Sequence, residues 1–342
     1  MNGAAAFADA VAARFDAVSS QVGFGSQDIA IGGLRVRLHA PCGRGEPWIG
    51  EAFLGRQDEC AARHDADFAV RLWDGTMAER MPPPRPWGED AHVPLGLIRG
   101  YCDDETRCAW DIHTASLIVS CARRRASYVW LPSLRGLPAW ALASPCRIPL
   151  SWFANTRRMQ VVHAAATARD GRAVLLVGEG GSGKSTTVLT CAVAGLDYLG
   201  DDYCVVEPDA GKVHLLYRTA KLFPNSLEIL PELRALLVNP DLIFEEKGVM
   251  FFRDEDLALR ASAQLAAIAL PRVSARKRTT VSRASSAEAL RAILPTTVGG
   301  LMGGTPATPG LLMKLVLDVP AYHLDLGIDR DLVVAAVSSL LE

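Results

Sequence analysis

The sequence predicts an α/β protein in two parts: a β-rich N-terminal domain over residues 1–135 and a mixed α/β domain over residues 136–342. Two observations support this division. Short β-branched and aromatic runs separated by turn-forming residues fill the first part. In the second part, an apolar run, a glycine-rich loop and a helix-forming stretch follow one another directly. A chain of 342 residues is long enough for two domains.

The N-terminal segment MNGAAAFADAVAARFDAV predicts an amphipathic helix. It has no basic region before its apolar residues, and Asp9, Arg14 and Asp16 interrupt the apolar spacing. This pattern is not that of a signal peptide, and we therefore expect a cytoplasmic protein. Strand-like segments follow at 29–40, 68–75, 108–121 and 127–132, and they predict a β-rich domain with a role in substrate recognition.

Composition limits the partners. The chain is 49% hydrophobic and 22% charged, with a formal net charge of −2, so it carries no basic field that would attract nucleic acid or an anionic membrane. The uncharged run 292–313 approaches the length of a membrane span, but it contains three prolines and five glycines and predicts a mobile loop. We expect no nucleic-acid partner and no membrane span, and a homo-oligomer remains open.

The eight cysteines are scattered and include no C-x-x-C pair, which favours buried free thiols. A metal site could be built from Cys102, Cys108, His113 and Cys121. Their spacing matches no familiar zinc module, and we give this alternative little weight.

Residues 178–185 read GEGGSGKS and fit the phosphate-binding pattern G-x-x-x-x-G-K-[ST]. The strand-like run 173–177 precedes them and the helix-like run 185–195 follows. Glycines let the backbone N–H groups turn toward phosphate oxygens, and the helix dipole adds positive potential. We expect ATP and Mg²⁺ as ligands, with Lys184 on the β- and γ-phosphates and the Ser185 hydroxyl on the metal. The predicted nucleotide-binding residues are Gly178, Glu179, Gly180, Gly181, Ser182, Gly183, Lys184, Ser185 and Thr186.

Asp201 and Asp202 follow the apolar DYLG and precede a predicted strand at 203–207, which a turn returns as 213–217. Adjacent carboxylates at a strand edge point to opposite sides. One could therefore bind a metal while the other acts as a general base. A solvated Asp-Asp turn is the alternative.

Three further residues and one basic segment are candidate groups of the same site. A hairpin from VVHAAATA into RAVLLVG would bring His163 beside the glycine-rich loop, although a histidine on an apolar strand is more often a core residue. Lys221, and with less weight Arg218, could neutralise a transferring phosphoryl group, the alternative being a solvated cation. The basic run 271–278 is interpreted as a solvated face rather than an anion site.

The string VVHAAATA…GRAVLLVGEGGSGKSTT…AGLDYLGDDY resembles the HPr kinase/phosphorylase superfamily, whose P-loop kinase core is similar to that of phosphoenolpyruvate carboxykinase. The histidine, the loop and the Asp-Asp pair occur in the family's order. The resemblance implies that Asp201 is the catalytic base, that Asp202 and Ser185 hold Mg²⁺, and that His163 orients the base or relays a proton.

This resemblance covers about residues 136–342. The segments SAEALRAILPTT and VPAYHLDLG are similar to HPr kinase-like proteins encoded in peptide-tailoring clusters, including lasso-peptide precursor kinases. The glycine-rich phosphorylase signature is missing after the Asp-Asp strand, and residues 1–135 do not resemble the family's N-terminal domain. We therefore do not expect HPr as the substrate or removal of phosphate from the product.

The resulting hypothesis is an ATP- and Mg²⁺-dependent kinase that phosphorylates a serine of a peptide or small protein, with a lasso-type precursor favoured. Catalysis is assigned to Asp201, His163, Lys184 and Lys221. The alternatives are a nucleotide-gated ATPase or switch and a small-molecule kinase, with a carboxykinase at low weight. Motor ATPases usually have an unbroken apolar strand before their acidic residue. Here Asp197 and Gly200 interrupt the corresponding segment, LDYLGDD, and this favours the kinase.

Overall fold

The computed structural model describes residues 3–21, 23–42, 49–54, 66–76, 81–93, 96–242, 247–274, 276–302 and 304–342. The chain forms two compact units. The first comprises Met1–Leu150 with Leu301–Gly303, and the second comprises Ser151–Gly300 with Gly304–Glu342. Helices and sheets occur in both, so the fold is mixed α/β with several sheets.

The first unit is built on one six-stranded sheet. Its elements are α1 (Gly3–Ser19), β1 (Phe24–Ile31), β2 (Leu34–Pro41), β3 (Phe68–Asp74), β4 (Thr106–Asp111), β5 (Ser116–Cys121), β6 (Ala126–Leu131) and α2 (Ala139–Leu142). The strand order is β1-β2-β3-β6-β5-β4, with β3 parallel to both β2 and β6. The predicted amphipathic helix is confirmed as α1: Phe15 packs edge-on against Trp73 and Tyr128 of the sheet, and Val11 is fully buried.

The chain remains with the first unit beyond residue 135. Arg147 forms an ion pair with the buried Asp111 at 3.4 Å. Leu137 and Ala141 line a small cavity together with Leu72 of β3. The structural division therefore follows Leu150, later than the boundary that composition suggested, because these contacts hold residues 137–149 against the first sheet.

The second unit contains the remaining helices and strands of the described chain. They are α3 (Arg147–Thr156), which begins in the first unit, then β7 (Gln160–Val162), β8 (Ala164–Arg169), β9 (Arg172–Val177), α4 (Lys184–Val193), β10 (Asp197–Gly200), β11 (Cys204–Glu207), β12 (Lys212–Leu215), β13 (Thr219–Leu222), α5 (Pro224–Ile229), β14 (Gly248–Phe251), β15 (Ser262–Val273), β16 (Thr280–Ala284), α6 (Ser286–Gly300), α7 (Thr308–Asp318), β17 (Ala321–Leu326) and α8 (Arg330–Ser339).

Strand β9 lies inside a nine-stranded sheet. It pairs antiparallel with β8 and parallel with β15, which in turn runs parallel to β17. The carboxyl ends of β9, β15 and β17 therefore meet at one edge of the sheet, where α/β folds commonly bind ligands. Residues Ala173 to Val177 of β9 are fully buried, as expected for a strand covered on both faces.

The predicted loop over 292–313 is wrong for most of its length. The segment contributes the end of α6 and the start of α7, and Pro295 lies inside α6. Ile293 and Leu312 are buried in the core of the second unit. Tertiary packing of these apolar residues outweighs the helix-breaking tendency of proline and glycine. No helix in the described part of the chain combines the length and apolar character needed to cross a membrane.

Candidate functional site

The glycine-rich loop joins β9 to α4, in the order that the sequence predicts. Gly183 caps the helix with φ 102°, a conformation that suits glycine. A β-carbon at this position would lie 2.5 Å from Leu326 Cδ1. The backbone conformation therefore favours glycine at the start of α4, and a side chain there would also displace the end of Leu326.

A cavity of about 350 Å³ opens beside this loop, entirely within the second unit. Its size lies in the range of small-molecule sites. Polar and charged side chains contribute to its lining, and they are His163, Lys184, Ser185, Thr186, Thr187, Thr190, Asp202, Lys221, Asn225, Ser226, Lys247, Ser274 and Arg330. Apolar side chains also line it, and they are Leu222, Phe223, Ile229, Val273, Leu326, Ile328 and Val333. The cavity thus combines charged groups with an apolar lining.

Lys184 is only 6% exposed, although it lies at the end of a loop. Its Nζ donates to the carbonyl oxygens of Gly178 at 2.7 Å and Glu179 at 2.9 Å. Burial lowers the pKa of this ammonium group, and the charges of Asp201 and Asp202 oppose the shift. Lys184 is therefore a buried cation that donates to the backbone of its own loop. Phosphate oxygens could replace the two carbonyl oxygens as its hydrogen-bond acceptors.

Asp202 faces the cavity. It lies in a bend between β10 and β11, and its φ of 67° is left-handed, so the two aspartates do not alternate along a strand as predicted. Its Oδ2 accepts from Lys221 Nζ at 2.7 Å, and its Oδ1 lies 3.2 Å from His163 Nε2. Burial alone would raise the pKa of Asp202, but the charge of Lys221 and the His163 contact hold it far below its usual range. Asp202 is therefore an ionised carboxylate in the lining of the cavity.

Asp201 is buried behind its neighbour, with 2% exposure, and does not line the cavity. Its Oδ2 accepts from the backbone N–H of Lys221 at 3.1 Å, whereas Oδ1 is buried with no hydrogen-bond partner. Burial and the charge of Asp202 raise the pKa of Asp201. The Ser185 hydroxyl, which is near but not hydrogen-bonded to Oδ1, opposes that rise.

An unpaired carboxylate oxygen inside a protein is costly, and a divalent cation satisfies it well. Magnesium prefers oxygen ligands such as carboxylate and hydroxyl groups. The orphaned Oδ1 of Asp201 beside the Ser185 hydroxyl therefore fits a Mg²⁺ site.

The predicted hairpin that carries His163 is confirmed: β8 and β9 pair antiparallel, and His163 directly precedes β8. The His163 backbone N–H donates to Thr297 Oγ1 at 3.4 Å, and its ring lies 5.7 Å from that of Tyr203. These contacts orient the imidazole toward Asp202. His163 is thus part of the site rather than of the apolar core.

The other predicted residues divide into two groups. Those of the loop that line the cavity are Gly180, Gly181, Gly183, Lys184, Ser185 and Thr186, whereas Gly178, Glu179 and Ser182 do not line it. Arg218, the less favoured cation, does not line the cavity either. Sequence reasoning missed Lys247, Arg330 and the apolar lining, because these residues are distant in sequence and match no motif.

Comparison with known proteins adds little to this geometry. No family model matches the chain, and no curated protein matches its sequence. Among solved structures, the chain is similar to the HPr(Ser) kinase/phosphatase from Coxiella burnetii, with 11% sequence identity and a TM-score of 0.27. That alignment covers 53% of this chain and 95% of the other. A likeness at this score does not establish a shared fold or activity, so the function is inferred from the site itself.

Proposed function

We propose that this protein is an ATP- and Mg²⁺-dependent kinase that transfers a γ-phosphoryl group to a hydroxyl. The observation that carries this proposal is the convergence of two features on one cavity. Lys184 and glycines of the loop line this cavity, and so do the ionised Asp202 and its partners Lys221 and His163. Phosphoryl transfer to a hydroxyl requires a phosphate-binding loop and an oriented carboxylate in one site.

The geometry favours the opposite division of roles from the one that the family resemblance implies for the two aspartates. Asp202 lines the cavity and is the better candidate for the base once Lys221 binds phosphoryl oxygens in its place, because the charge of Lys221 is what lowers its pKa. Asp201 is buried beside Ser185 and is the better metal ligand. Mg²⁺ held by Ser185 and Asp201 would neutralise phosphate charge.

In the proposed step, Asp202 accepts the proton of the acceptor hydroxyl. The acceptor oxygen forms a bond to the γ-phosphorus as the bond from phosphorus to the bridging oxygen of ADP breaks. Lys184 and Lys221 are placed to stabilise negative charge on the phosphoryl group. His163 contacts the other oxygen of Asp202 and keeps the carboxylate in position.

We further propose that the acceptor is a serine of a peptide or small protein, with a lasso-type precursor favoured. The resemblance of residues 136–342 to peptide-tailoring kinases supports this acceptor. The first unit offers a further argument, since β1 lies at the edge of its sheet and, within the described residues, pairs with β2 alone. An edge strand of this kind can add an extended peptide by backbone hydrogen bonding.

Incubation with labelled ATP, Mg²⁺ and peptides encoded beside the gene tests the proposal, with mass spectrometry to locate the phosphoryl group. We expect phosphoserine on the peptide and no product with Lys184→Ala. Release of inorganic phosphate without peptide modification would instead indicate an ATPase or switch. Rapid phosphorylation of a free alcohol or amino acid, with the peptides unmodified, would indicate a small-molecule kinase.

A further inference from the structure

One cation of the cavity lining has no acceptor of its own. Within the described part of the chain, the lysine and arginine side chains that line the cavity are Lys184, Lys221, Lys247 and Arg330. Lys184, Lys221 and Arg330 each donate to a carbonyl or carboxylate oxygen of the protein. The Lys247 ammonium group makes no hydrogen bond and no ion pair with any described residue.

The Lys247 ammonium group lies over an aromatic ring instead. Its Nζ is 4.7 Å from the centre of the Phe223 ring, which is within the range of a cation–π contact. Such a contact at a partly exposed site is weaker than a charge-assisted hydrogen bond to a phosphate oxygen. An anionic ligand in the cavity would therefore compete well with the ring for this ammonium group.

The backbone that carries Lys247 is fixed beside the cavity. Lys247 directly precedes β14, which pairs antiparallel with β13, the strand that carries Lys221. The buried Asn239 donates from Nδ2 to the Lys247 carbonyl oxygen at 3.1 Å, and its Oδ1 accepts from the Val249 N–H at 2.7 Å. The backbone of Lys247 is thus held on both sides, whereas no hydrogen bond to a described residue restrains its ammonium group.

Lys247 is close enough to Lys184 and Asp201 to affect their charges. Burial is the main cause that lowers the pKa of Lys184, and the charge of Lys247 adds to that effect. Burial and the charge of Asp202 raise the pKa of Asp201, whereas the charge of Lys247 opposes that rise. Among the described residues, the three lysines of the cavity thus outnumber the carboxylates of the Asp-Asp pair. This excess of positive charge suits a polyanionic ligand.

The γ-phosphate is the part of a nucleoside triphosphate that most needs such a side chain. In a phosphate-binding loop the backbone N–H groups contact the α- and β-phosphates, and the lysine of the loop and the metal reach the γ-phosphate. Lys247 comes from outside the loop, and its charge acts on Lys184 and on Asp201, the proposed metal ligand. Its ammonium group is therefore suited to the terminal phosphate.

We propose that Lys247 binds the γ-phosphate of the donor and so determines the preference for a triphosphate over a diphosphate. The proposal rests on the proposed function and adds a binding residue that no local motif marks. Lys247 has an advantage over Lys221 in this role. Lys221 must leave Asp202 to contact phosphate, whereas Lys247 breaks no ion pair with a described residue.

Calorimetric titration of the full-length protein with ADP and with the non-hydrolysable β,γ-imido analogue of ATP, both with Mg²⁺, tests this proposal without any acceptor. Lys247→Gln should lose about 10- to 100-fold in affinity for the ATP analogue, because a charge-assisted hydrogen bond is removed. Its affinity for ADP, which lacks the γ-phosphate, should be unchanged. Lys212→Gln is the matched control, since Lys212 is an exposed lysine of β12 that does not line the cavity, and it should bind both nucleotides normally.

The outcomes separate the two proposals. Failure of the unmodified protein to bind either nucleotide would overturn the phosphate site and with it the proposed function. If both nucleotides bind, but Lys247→Gln loses affinity for them equally or for neither, the role of Lys247 alone is wrong. Lys247→Arg keeps the charge and should keep the preference for the triphosphate. A Lys247→Arg variant with no such preference would show that the charge at this position does not bind the γ-phosphate.

Discussion

Lys221 Nζ donates to Asp202 Oδ2 at 2.7 Å, and this contact fixes the only acidic side chain that lines the described part of the cavity. The other oxygen of the same carboxylate contacts His163. Because each carboxylate oxygen has a partner, the position of Asp202 relative to the glycine-rich loop is fixed. Asp201, one residue earlier, is buried, and its Oδ1 has no hydrogen-bond partner.

The first prediction separates the two aspartates. Asp202→Asn should lower kcat by about 10²- to 10⁴-fold with little change in ATP affinity, because it removes the proposed proton acceptor. Asp201→Asn should instead raise the Mg²⁺ concentration needed for half-maximal activity, by about 10- to 100-fold. Steady-state kinetics at varied ATP and Mg²⁺ measure both effects. The reverse pattern would restore Asp201 as the base.

The second prediction concerns Lys184. Lys184→Ala should abolish phosphotransfer, because it removes the cation that we propose binds the phosphates. The structure corrects the expectation that this is an exposed side chain of little structural effect, since Lys184 is buried and bonds two loop carbonyls. We therefore also expect Tm to fall by a few degrees. Lys212→Ala, at an exposed lysine of β12, should change neither activity nor Tm.

The third prediction uses two glycines of the same loop. Gly183→Ala should lower Tm and abolish nucleotide binding, because its φ of 102° strains alanine and its β-carbon would meet Leu326. Gly180→Ala should leave Tm unchanged, since a β-carbon there has no atom within 4 Å. Thermal unfolding of both variants checks this difference. Equal Tm values for the two variants would show that neither the backbone strain nor the approach to Leu326 makes alanine destabilising at position 183.

The fourth prediction concerns pH. Ser285 and Glu288 form a capping box before α6: the Ser285 hydroxyl and backbone N–H both donate to Glu288 Oε2, and the Glu288 N–H donates to Ser285 Oγ. The two hydrogen bonds that its carboxylate accepts from Ser285, together with the nearby His323, lower the pKa of Glu288 to about 2. Because the folded-state pKa is depressed, the stabilisation is complete above the unfolded pKa of about 4.3 and is lost as pH falls toward 2.

Glu288→Gln should therefore lower Tm at pH 7, and the difference from the unmodified protein should shrink at pH 3. Glu228→Gln provides the comparison, because Glu228 is an exposed glutamate of α5. A Tm difference for Glu288→Gln that is independent of pH would mean that the charge of Glu288 is not what stabilises the helix end.

The fifth prediction concerns the direction of the reaction. The glycine-rich phosphorylase signature is missing from the sequence after the Asp-Asp strand. We therefore expect no appreciable loss of phosphate from the phosphorylated product when inorganic phosphate replaces ATP. Mass spectrometry of purified phosphopeptide over time measures this, and rapid dephosphorylation would indicate a bifunctional enzyme.

Local sequence was sufficient to predict several elements. The apolar spacing of residues 3–19 predicts α1, because a helix that packs on a sheet needs one apolar face. The glycine pattern at 178–185 predicts a strand, loop and helix, since that backbone path requires glycine. The β8–β9 hairpin follows from two apolar runs around a short polar turn.

Other features depended on long-range contacts. The run 292–313 reads locally as a loop, yet burial of Ile293 and Leu312 makes most of it helical. The first unit extends to Leu150, beyond the predicted boundary at residue 135, because Arg147 and the cavity contacts hold residues 137–149 to the first sheet. Neither effect has a signal within a few residues of sequence.

The sequence by itself determined the glycine-rich loop between a strand and a helix and the presence of an Asp-Asp pair, because both depend on residue type and close spacing. Only the tertiary structure decided which aspartate faces the cavity. That outcome depends on the left-handed bend at Asp202 and on the ion pair with Lys221 from another strand. Val273 of β15 and Leu326 of β17 likewise line the same cavity although they are distant in sequence, because the two strands pair when the sheet forms.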